Sequence, residues 1–216
     1  MYGMQEIPEY SDPEVIRRIS GQGISPQLQE YFRRCIDFHG YAAPGMLIGV
    51  FMVDYALEVL GKAPTDKIFV TSETHKCLPD PPQVIMHATA GNHRLRILPI
   101  GKFALSMTPF TSEENARGIR IYLDREKLGR YPAAALWYDN SPGFKGSMKR
   151  QVIDEILAAG RDILSVECIR MKVSRKQKWR SARCLKCGEP VPEDLMEQGL
   201  CAGCGSMAYY EKYACD

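Results

Sequence analysis

The 216-residue chain carries 28 basic and 26 acidic side chains, and its formal net charge of +2 is too small to bind a polyanion through overall charge. With 45% hydrophobic and 25% charged residues, the composition is that of a globular protein and excludes a disordered chain. The longest apolar run, Met46–Val53, is too short to span a bilayer, and the first residues have no secretory-signal pattern, so we expect a cytoplasmic protein without membrane contact.

Helical patterns fill the first part of the chain. N-cap residues followed by proline predict helices over about 13–19 and 26–39, and a third helix is expected over 44–61. Apolar residues that recur at three- and four-residue steps place His39 on the buried face of the second helix, which should end at Gly40.

Segments rich in strand-forming residues follow between Lys67 and Asp124. Five short runs separated by Pro, Gly or polar residues predict five strands: KIFVTSE, QVIMHATA, RLRILPI, KFALSMTPF and GIRIYLD. Helical character returns over about 147–159, and a further strand is expected in ILSVECIRMKV. Helices segregated from strands predict an α+β fold, with N-terminal helices packed on a mostly antiparallel sheet.

The composition changes after Val173 and divides the chain into three predicted regions. They are an α+β domain over 1–173, a basic linker over 174–183 and a small C-terminal subdomain over 184–216. The last region is too short to bury a core of its own, so its fold needs a cross-link such as a bound metal ion.

Four cysteines near the C-terminus can supply that cross-link by binding a metal ion. Cys184, Cys187, Cys201 and Cys204 form two Cys-x-x-Cys pairs, and four thiolates complete the tetrahedron of a zinc ion. A closed four-thiolate site has no open position for substrate, so we expect a structural zinc ion. The stretch, CGEPVP above all, resembles a DksA/TraR-type zinc finger, which implies a zinc-ribbon or treble-clef-like subdomain.

The basic linker offers a second interpretation of this end of the chain. Its cations could follow a phosphate backbone while Trp179 stacks on a base. These cations are Arg175, Lys176, Lys178, Arg180 and Arg183, together with Lys172 just before the linker. A solvated linker that contacts no nucleic acid is the alternative.

Two polar clusters in the α+β domain are candidates for a ligand site. His39 should lie near the first amides of the third helix, which can bind an anion, although a histidine on an apolar face is often a satisfied core residue. The segment SETHKCLPDPPQ brings together Glu73, His75, Cys77, Asp80 and Gln83. A polar turn with Cys77 as a small buried thiol is the alternative.

Together these clusters resemble the formylmethanofuran dehydrogenase FmdE family. FHGYAAPGMLIGVFM is similar to that family's His-Gly-His-x-Cys-Pro-Gly-x-x-x-Gly helix start, SETHKCLPDPPQVIMHATAG to its Glu-x-x-x-Cys-x-x-Asp-x-x-Gln segment, and IGKFAL to its Gly-Lys-x-Ala. The resemblance extends from about Gln27 to the end of the chain. It implies a core site at His39 and Cys77 that is lined by Tyr41, Glu73, Asp80, Gln83, His87, Thr89 and Lys102.

The sequence departs from the family where metal ligands are expected. Tyr41 and Ala43 stand in place of a His and a Cys, and Ala88 stands in place of a second Cys. A cysteine-rich redox site is therefore not expected. His39, Cys77 and His87 could instead hold a second divalent metal with one open position, whereas without a metal Cys77 could be a nucleophile activated by His39.

The resemblance implies a zinc protein whose core domain binds a small anionic or cofactor-like ligand, as an accessory protein of one-carbon or redox metabolism. The chain lacks the iron–sulfur cysteine runs of a complete molybdenum or tungsten oxidoreductase, so a stand-alone dehydrogenase is not expected. The alternatives are a zinc-finger regulator that binds nucleic acid or protein, and a structural component of a larger assembly with a degenerate core site.

A homodimer is favoured by the resemblance together with two glycines of the third helix. Gly45 and Gly49 lie four residues apart on one helix face, where a second backbone can approach closely. A further protein partner in a larger complex is also consistent with an accessory role.

Overall fold

The structure, a computed structural model, describes residues 12–21, 23–172 and 178–211. The chain divides into two compact units, residues 1–173 and residues 174–216. Within the described ranges, no helix has both the length and the apolar character needed to cross a membrane.

The first unit opens with three helices and then mixes strands with helices. Its helices are α1 (Asp12–Gly21), α2 (Pro26–His39), α3 (Pro44–Leu60), α4 (Asp80–Met86), α5 (Arg125–Leu128), α6 (Pro132–Tyr138) and α7 (Lys149–Ala159). Its strands are β1 (Ile68–Ser72), β2 (Leu95–Ile97), β3 (Ala104–Pro109), β4 (Asn115–Leu123) and β5 (Leu164–Lys172). Short 3₁₀ turns, Gly146–Met148 and Gly160–Ile163, flank α7.

The bounds of α2 and α3 follow from their local sequence. The Ser25 hydroxyl caps α2 by accepting the amide of Leu28 at 3.3 Å. Gly40 ends α2 with a left-handed φ of 90°, which glycine adopts without strain. α3 begins at Pro44 and stops before Gly61, so the predicted helices are confirmed at these positions.

The sheet has the strand order β2-β1-β3-β4-β5. β1 and β2 are parallel, and the pairings of β1 with β3, β3 with β4 and β4 with β5 are antiparallel. Two parallel strands need a crossover connection, and here that connection contains α4. The predicted α+β fold with a mostly antiparallel sheet is confirmed.

The core is organised around α3, which is buried on all sides over most of its length. It packs against α2, α4, α7 and β4. Val70, Leu105 and Ile121 bring three neighbouring strands into the same core. Because α3 begins at the edge of this core, its first turn meets the segments that carry the polar clusters.

One predicted strand, QVIMHATA, was wrong. Its first half belongs to α4, and the left-handed conformation of His87, with a φ of 53°, ends that helix. Pro81 and Pro82 occupy the first turn of α4, where the missing amide hydrogens are not needed. The β-branched run favours a strand, but packing of α4 against α2 and α3 overrides that local preference.

α5 and α6 were not predicted at all. Each is about two turns or shorter, so hydrophobic periodicity has little length in which to show. α6 begins at Pro132 and buries Ala133, Ala134 and Ala135. α7 begins two residues later than predicted, after a 3₁₀ turn.

In its described residues, 178–211, the second unit consists of short hairpins and 3₁₀ turns. β6 (Ser181–Arg183) pairs with β7 (Pro190–Pro192), and β8 (Met196–Glu197) pairs with β9 (Leu200–Cys201), both antiparallel. Ser181–Arg183 had been assigned to the linker but forms the first strand of this unit. The other predicted linker residues up to 177 lie outside the described residues.

Candidate functional site

The polar clusters of the α+β unit meet where α2 ends and α4 begins. The His39 ring nitrogen Nδ1 lies 2.6 Å from Oδ2 of Asp80, the first residue of α4. His39 and Asp80 are 41 residues apart in the chain, so tertiary packing must bring them together.

Two features of the helices hold α4 in this position. Arg34 of α2 donates from Nη2 to the carbonyl of Val84 at 2.6 Å, which ties α4 to α2. On α3, a Cβ at Gly49 would lie only 2.9 Å from Cγ of Pro81 and 3.1 Å from Cδ1 of Leu78. The glycine therefore allows the start of α4 to approach α3 closely.

Gly45 has the same role for the segment that carries Cys77. A Cβ at Gly45 would lie 3.3 Å from Cβ of Cys77 and 3.4 Å from the Phe103 ring. The two glycines that suggested a dimer contact thus pack against segments of their own chain. The glycine pattern no longer supports a homodimer, which stays a prediction.

The charge state of His39 is set by its neighbours. The hydrogen bond to Asp80 is the main reason why the pKa of His39 rises to about 9; the Cys77 thiol raises it further, while burial lowers it. His39 is therefore protonated at neutral pH, and Nδ1–H donates to the carboxylate. The Tyr41 ring lies beside the imidazole, with 4.9 Å between ring centroids, and burial raises the pKa of its hydroxyl.

The second ring nitrogen of His39 is buried without a partner. The His39 side chain is 13% exposed, and Nε2 is enclosed and has no hydrogen-bonding partner among the described residues. Leaving a buried polar atom unpaired costs about 1–3 kcal/mol. A bound ligand that accepts a hydrogen bond from Nε2 would remove this cost.

The first turn of α3 adds further donors to this site. The first amides of a helix have no partner within the helix, and Ala43 at the N-cap supplies no side-chain hydrogen bond. No acidic residue occupies the first turn of α3. The helix dipole and these amides favour negative charge beside Cys77, which the first turn of α3 contacts.

Glu73 takes part in a separate ion pair on the sheet. Arg120 of β4 donates from Nε and Nη2 to the two Glu73 oxygens at 2.6 and 2.9 Å, and from Nη1 to Glu167 at 3.2 Å. This pairing holds the pKa of Glu73 below its ordinary value, with a smaller contribution from the exposed Lys102. Arg120 was missed from the sequence, although a single arginine within the apolar alternation of GIRIYLD was a signal for a paired charge.

The other predicted lining residues serve local structure. Gln83 donates to the carbonyl of Pro79 at 3.3 Å, one turn earlier in the chain. His87 is exposed at the end of α4, and its carbonyl accepts from Asn92 at 2.6 Å. Thr89 exchanges two hydrogen bonds with Asn92 in the following turn.

The predicted grouping of His39, Cys77 and His87 is not formed. In the described parts of the chain, only the four C-terminal cysteines bring three or more His, Cys, Asp or Glu ligand atoms within 4.8 Å of one another. The core site therefore lacks the three protein ligands that a catalytic zinc ion usually has.

The four cysteines of the second unit form a compact thiol cluster. Cys184, Cys187, Cys201 and Cys204 each contribute one sulfur, and the Cys201 amide donates to the sulfur of Cys184 at 3.3 Å. The backbone amides of Cys187 and Cys201 lower the pKa of Cys184 to about 6, which favours the thiolate that binds metal. This cluster can bind a metal ion, and its donor set is consistent with zinc.

Comparison with known proteins gives three findings. The model of the family described as "FmdE, Molybdenum formylmethanofuran dehydrogenase operon" matches residues 38–170. A crystal structure of a tungsten formylmethanofuran dehydrogenase FmdE-like protein from Syntrophus aciditrophicus superposes with a TM-score of 0.72 and 34% identity, covering 85% of this chain and 95% of that one.

The third finding is a curated relative from Archaeoglobus fulgidus named "Probable S-adenosyl-L-methionine-binding protein". It is 27% identical over 202 residues, which cover 85% of this chain and 54% of that protein. This chain thus spans about half the length of the relative.

Proposed function

This chain belongs to the FmdE family. From that premise we propose that its α+β unit binds a small anionic or cofactor-like ligand at the His39 site. In this proposal the chain is an accessory protein of one-carbon or redox metabolism. The observation that carries this proposal is the buried Nε2 of His39, which has no partner among the described residues. Its neighbours Asp80, Cys77 and Tyr41 belong to the segments that the family model covers.

The ligand would present a compact anionic group to the site. With Nδ1 bonded to Asp80, the imidazolium has one remaining N–H to donate, and the first amides of α3 add donors nearby. A carboxylate fits these donors and supplies the charge that the site favours. Because Asp80 already balances the charge of the imidazolium, the ligand would be held by the hydrogen bond from Nε2 and by the first amides of α3.

S-adenosyl-L-methionine is one candidate ligand, because it carries a carboxylate and because the archaeal relative is named for it. Formate is the smallest probe of the same carboxylate chemistry. The two compounds test whether recognition is limited to the anionic group or extends to a larger cofactor.

A resident metal in the core is not part of this proposal. His39 and Cys77 supply two ligands, His87 does not join them, and the described residues offer no third ligand within reach of both. The residues present therefore do not fit a second zinc ion, and the function is proposed without one.

Isothermal titration calorimetry with formate and with S-adenosyl-L-methionine tests the proposal. We expect wild type to bind at least one of the two, and His39→Gln to bind at least about 10-fold more weakly, because the loss of a charged hydrogen bond costs about 1.5–3 kcal/mol. The exposed His75 provides a matched control, since His75→Gln is the same substitution in the neighbouring loop. Equal binding by wild type and His39→Gln would exclude the His39 site.

A second candidate function is contact of the finger unit with single-stranded nucleic acid. Trp179 is 57% exposed between Lys178 and Arg180, and the three residues line a cleft. A stacked base and flanking cations are the usual elements of such binding. Glu193 and Asp194 line the same cleft and oppose phosphate, so we rank this candidate second.

Salt dependence separates the two candidates. Binding to phosphates must weaken steeply as salt rises, because counterions are released from the nucleic acid. If the finger binds nucleic acid, wild type will bind short RNA or DNA at low salt and lose affinity as salt increases, and Trp179→Ala will weaken it. If wild type does not bind RNA or DNA at low salt, the nucleic-acid function is excluded and a structural role of the finger is favoured.

A further inference from the structure

We propose that the cleft beside Trp179 is a docking site for an extended segment of another protein. The segment presents an apolar side chain that is flanked by acidic residues on one side and by basic residues on the other. This docking site lies in the second unit and does not depend on the His39 site. A nucleic acid is the competing partner for the same cleft.

The cleft has an exposed apolar part. Trp179 is 57% exposed and Leu195 is 61% exposed, and Pro192 lines the same cleft. Half of the exposed large apolar side chains in the described parts of the chain lie in this unit, although it contributes only residues 178–211. Exposed apolar side chains that are concentrated in this way are typical of an interaction surface.

Charges of both signs line the cleft, and they come from two separate segments. Lys178 and Arg180 precede β6, whereas Glu193 and Asp194 follow β7. All four side chains are exposed, and none of the ion pairs formed among the described residues involves them. They are therefore available to a partner.

Backbone pairing holds the two charged segments next to each other. The Glu193 amide donates to the carbonyl of Arg180 at 2.9 Å, and Ser181 faces Pro192 in the pairing of β6 with β7. The cations and the acids thus occupy fixed places on either side of the apolar part. A partner that binds there need not order the backbone first, which lowers the cost of association.

The presence of both charge signs decides between classes of partner. The phosphates of a nucleic acid carry one sign, so their attraction to Lys178 and Arg180 would be opposed by Glu193 and Asp194. A uniformly acidic or uniformly basic peptide meets the same conflict. A protein segment with an apolar side chain between opposite charges complements every part of the cleft, and such complementarity fixes both partner and orientation.

Fluorescence polarisation of two labelled hexapeptides tests the proposal on the metal-loaded full chain. The probes are Glu-Glu-Leu-Leu-Lys-Lys and the reversed peptide Lys-Lys-Leu-Leu-Glu-Glu. We expect one of them to bind at least about 5-fold more tightly than the other, since each exposed charge pair contributes a small free energy. Trp179→Ala should weaken that binding at least about 10-fold. Tyr209→Ala removes an exposed aromatic side chain outside the cleft and should leave it unchanged.

Exchange of the charges provides a matched control. The variant with Lys178→Glu, Arg180→Glu, Glu193→Lys and Asp194→Lys keeps the apolar part and the net charge, so the preference between the two peptides should reverse. Equal metal content in wild type and variant verifies that the cysteine cluster has formed. Failure of both peptides to bind wild type, equal binding of the two, or a preference that does not reverse in the metal-loaded variant would overturn the proposal.

The same assay with a labelled single-stranded oligonucleotide examines the competing partner. An oligonucleotide that binds more tightly than either peptide, loses affinity steeply with salt and depends on Trp179 would assign the cleft to nucleic acid and overturn the proposal. A dimer of the chain that dissociates in Trp179→Ala would assign the cleft to a second copy instead. Neither result would bear on ligand binding at His39.

Discussion

The imidazole of His39 and the carboxylate of Asp80 meet at 2.6 Å and join the last residue of α2 to the first residue of α4. This contact leaves Nε2 of His39 as the one ring nitrogen still able to donate. From the sequence alone, His39 could be a core residue or a residue of a ligand site. The free Nε2 favours the ligand site.

The first prediction concerns pH. His39 has a folded pKa of about 9, above its ordinary value of 6.5, so its contribution to stability is fully present below about pH 6.5 and is lost as pH rises through about 9. Asp80, Cys77 and Tyr41 are the titratable groups that face it. Solvent screening reduces the effect, and we expect on the order of 1–2 kcal/mol.

Urea unfolding of wild type and Asp80→Asn at about pH 6 and about pH 10 measures this contribution. Wild type should be more stable than Asp80→Asn at the lower pH, and the difference should shrink at the higher one. A difference that stays constant or grows with pH would contradict the assigned protonation of His39.

The second prediction concerns the close approach of α4 to α3. Gly49→Val should destabilise the α+β unit by about 1–3 kcal/mol, because its Cβ would lie 2.9 Å from Cγ of Pro81. Thermal or urea unfolding measures the loss. Gly146→Ala is the control, since a Cβ there meets nothing within 4 Å and stability should hardly change. Equal effects of the two substitutions would argue against the close contact.

The third prediction compares two paired arginines. Arg120 binds Glu73, which is 7% exposed, whereas Arg125 pairs with Asp139 at the exposed surface. Arg120→Met should cost about 3 kcal/mol because it leaves a buried carboxylate unpaired, and Arg125→Met should cost much less because its partner stays solvated. Since pairing lowers the pKa of Glu73, this contribution is present at neutral pH and is lost as pH falls. Similar losses of unfolding free energy in Arg120→Met and Arg125→Met would contradict the stronger role of the buried pair.

The fourth prediction concerns metal content. Protein purified without added metal should hold one ion per chain, bound by Cys184, Cys187, Cys201 and Cys204. The double variant His39→Ala with Cys77→Ala should still hold that ion, whereas Cys184→Ser should lose it. Elemental analysis of the three proteins decides the matter, and loss of an ion from the double variant would show that the core binds metal after all.

Removal of that ion should unfold the second unit. Its described strands are two or three residues long and bury little apolar surface, so the metal must supply most of its folding free energy. A chelator should therefore abolish the ordered amide signals of this unit. Retention of those signals in metal-free protein would show that the hairpins fold without the ion.

Local signals in the sequence were sufficient for much of the fold. Ser25 and Gly40 mark the ends of α2, and the strand-forming runs KFALSMTPF and GIRIYLD contain β3 and β4. The prediction of a strand at QVIMHATA was wrong because it relied on the β-branched residues of this run. The two prolines before it, Pro81 and Pro82, start a helix instead. Secondary structure was thus predictable where caps and periodicity agreed, and failed where they conflicted.

The candidate site was only partly predictable. His39, Cys77 and Asp80 were identified as residue types, but the contact between His39 and Asp80 depends on how α4 packs, which no local pattern encodes. Glu73 was placed with them by its position in the chain, whereas strand pairing brings it to Arg120 instead. Which side chains from different helices and strands come together can be known only from the tertiary structure.

The most direct test of the His39 site is nuclear magnetic resonance of the four ¹⁵N-labelled histidine side chains during titration with formate or S-adenosyl-L-methionine. His39 should titrate with a pKa of about 9, and ligand should shift its Nε2 resonance while leaving that of His75 unchanged. A ligand that binds without shifting His39, or a His39 that titrates near 6.5, would contradict the assignment of this histidine as the centre of the ligand site.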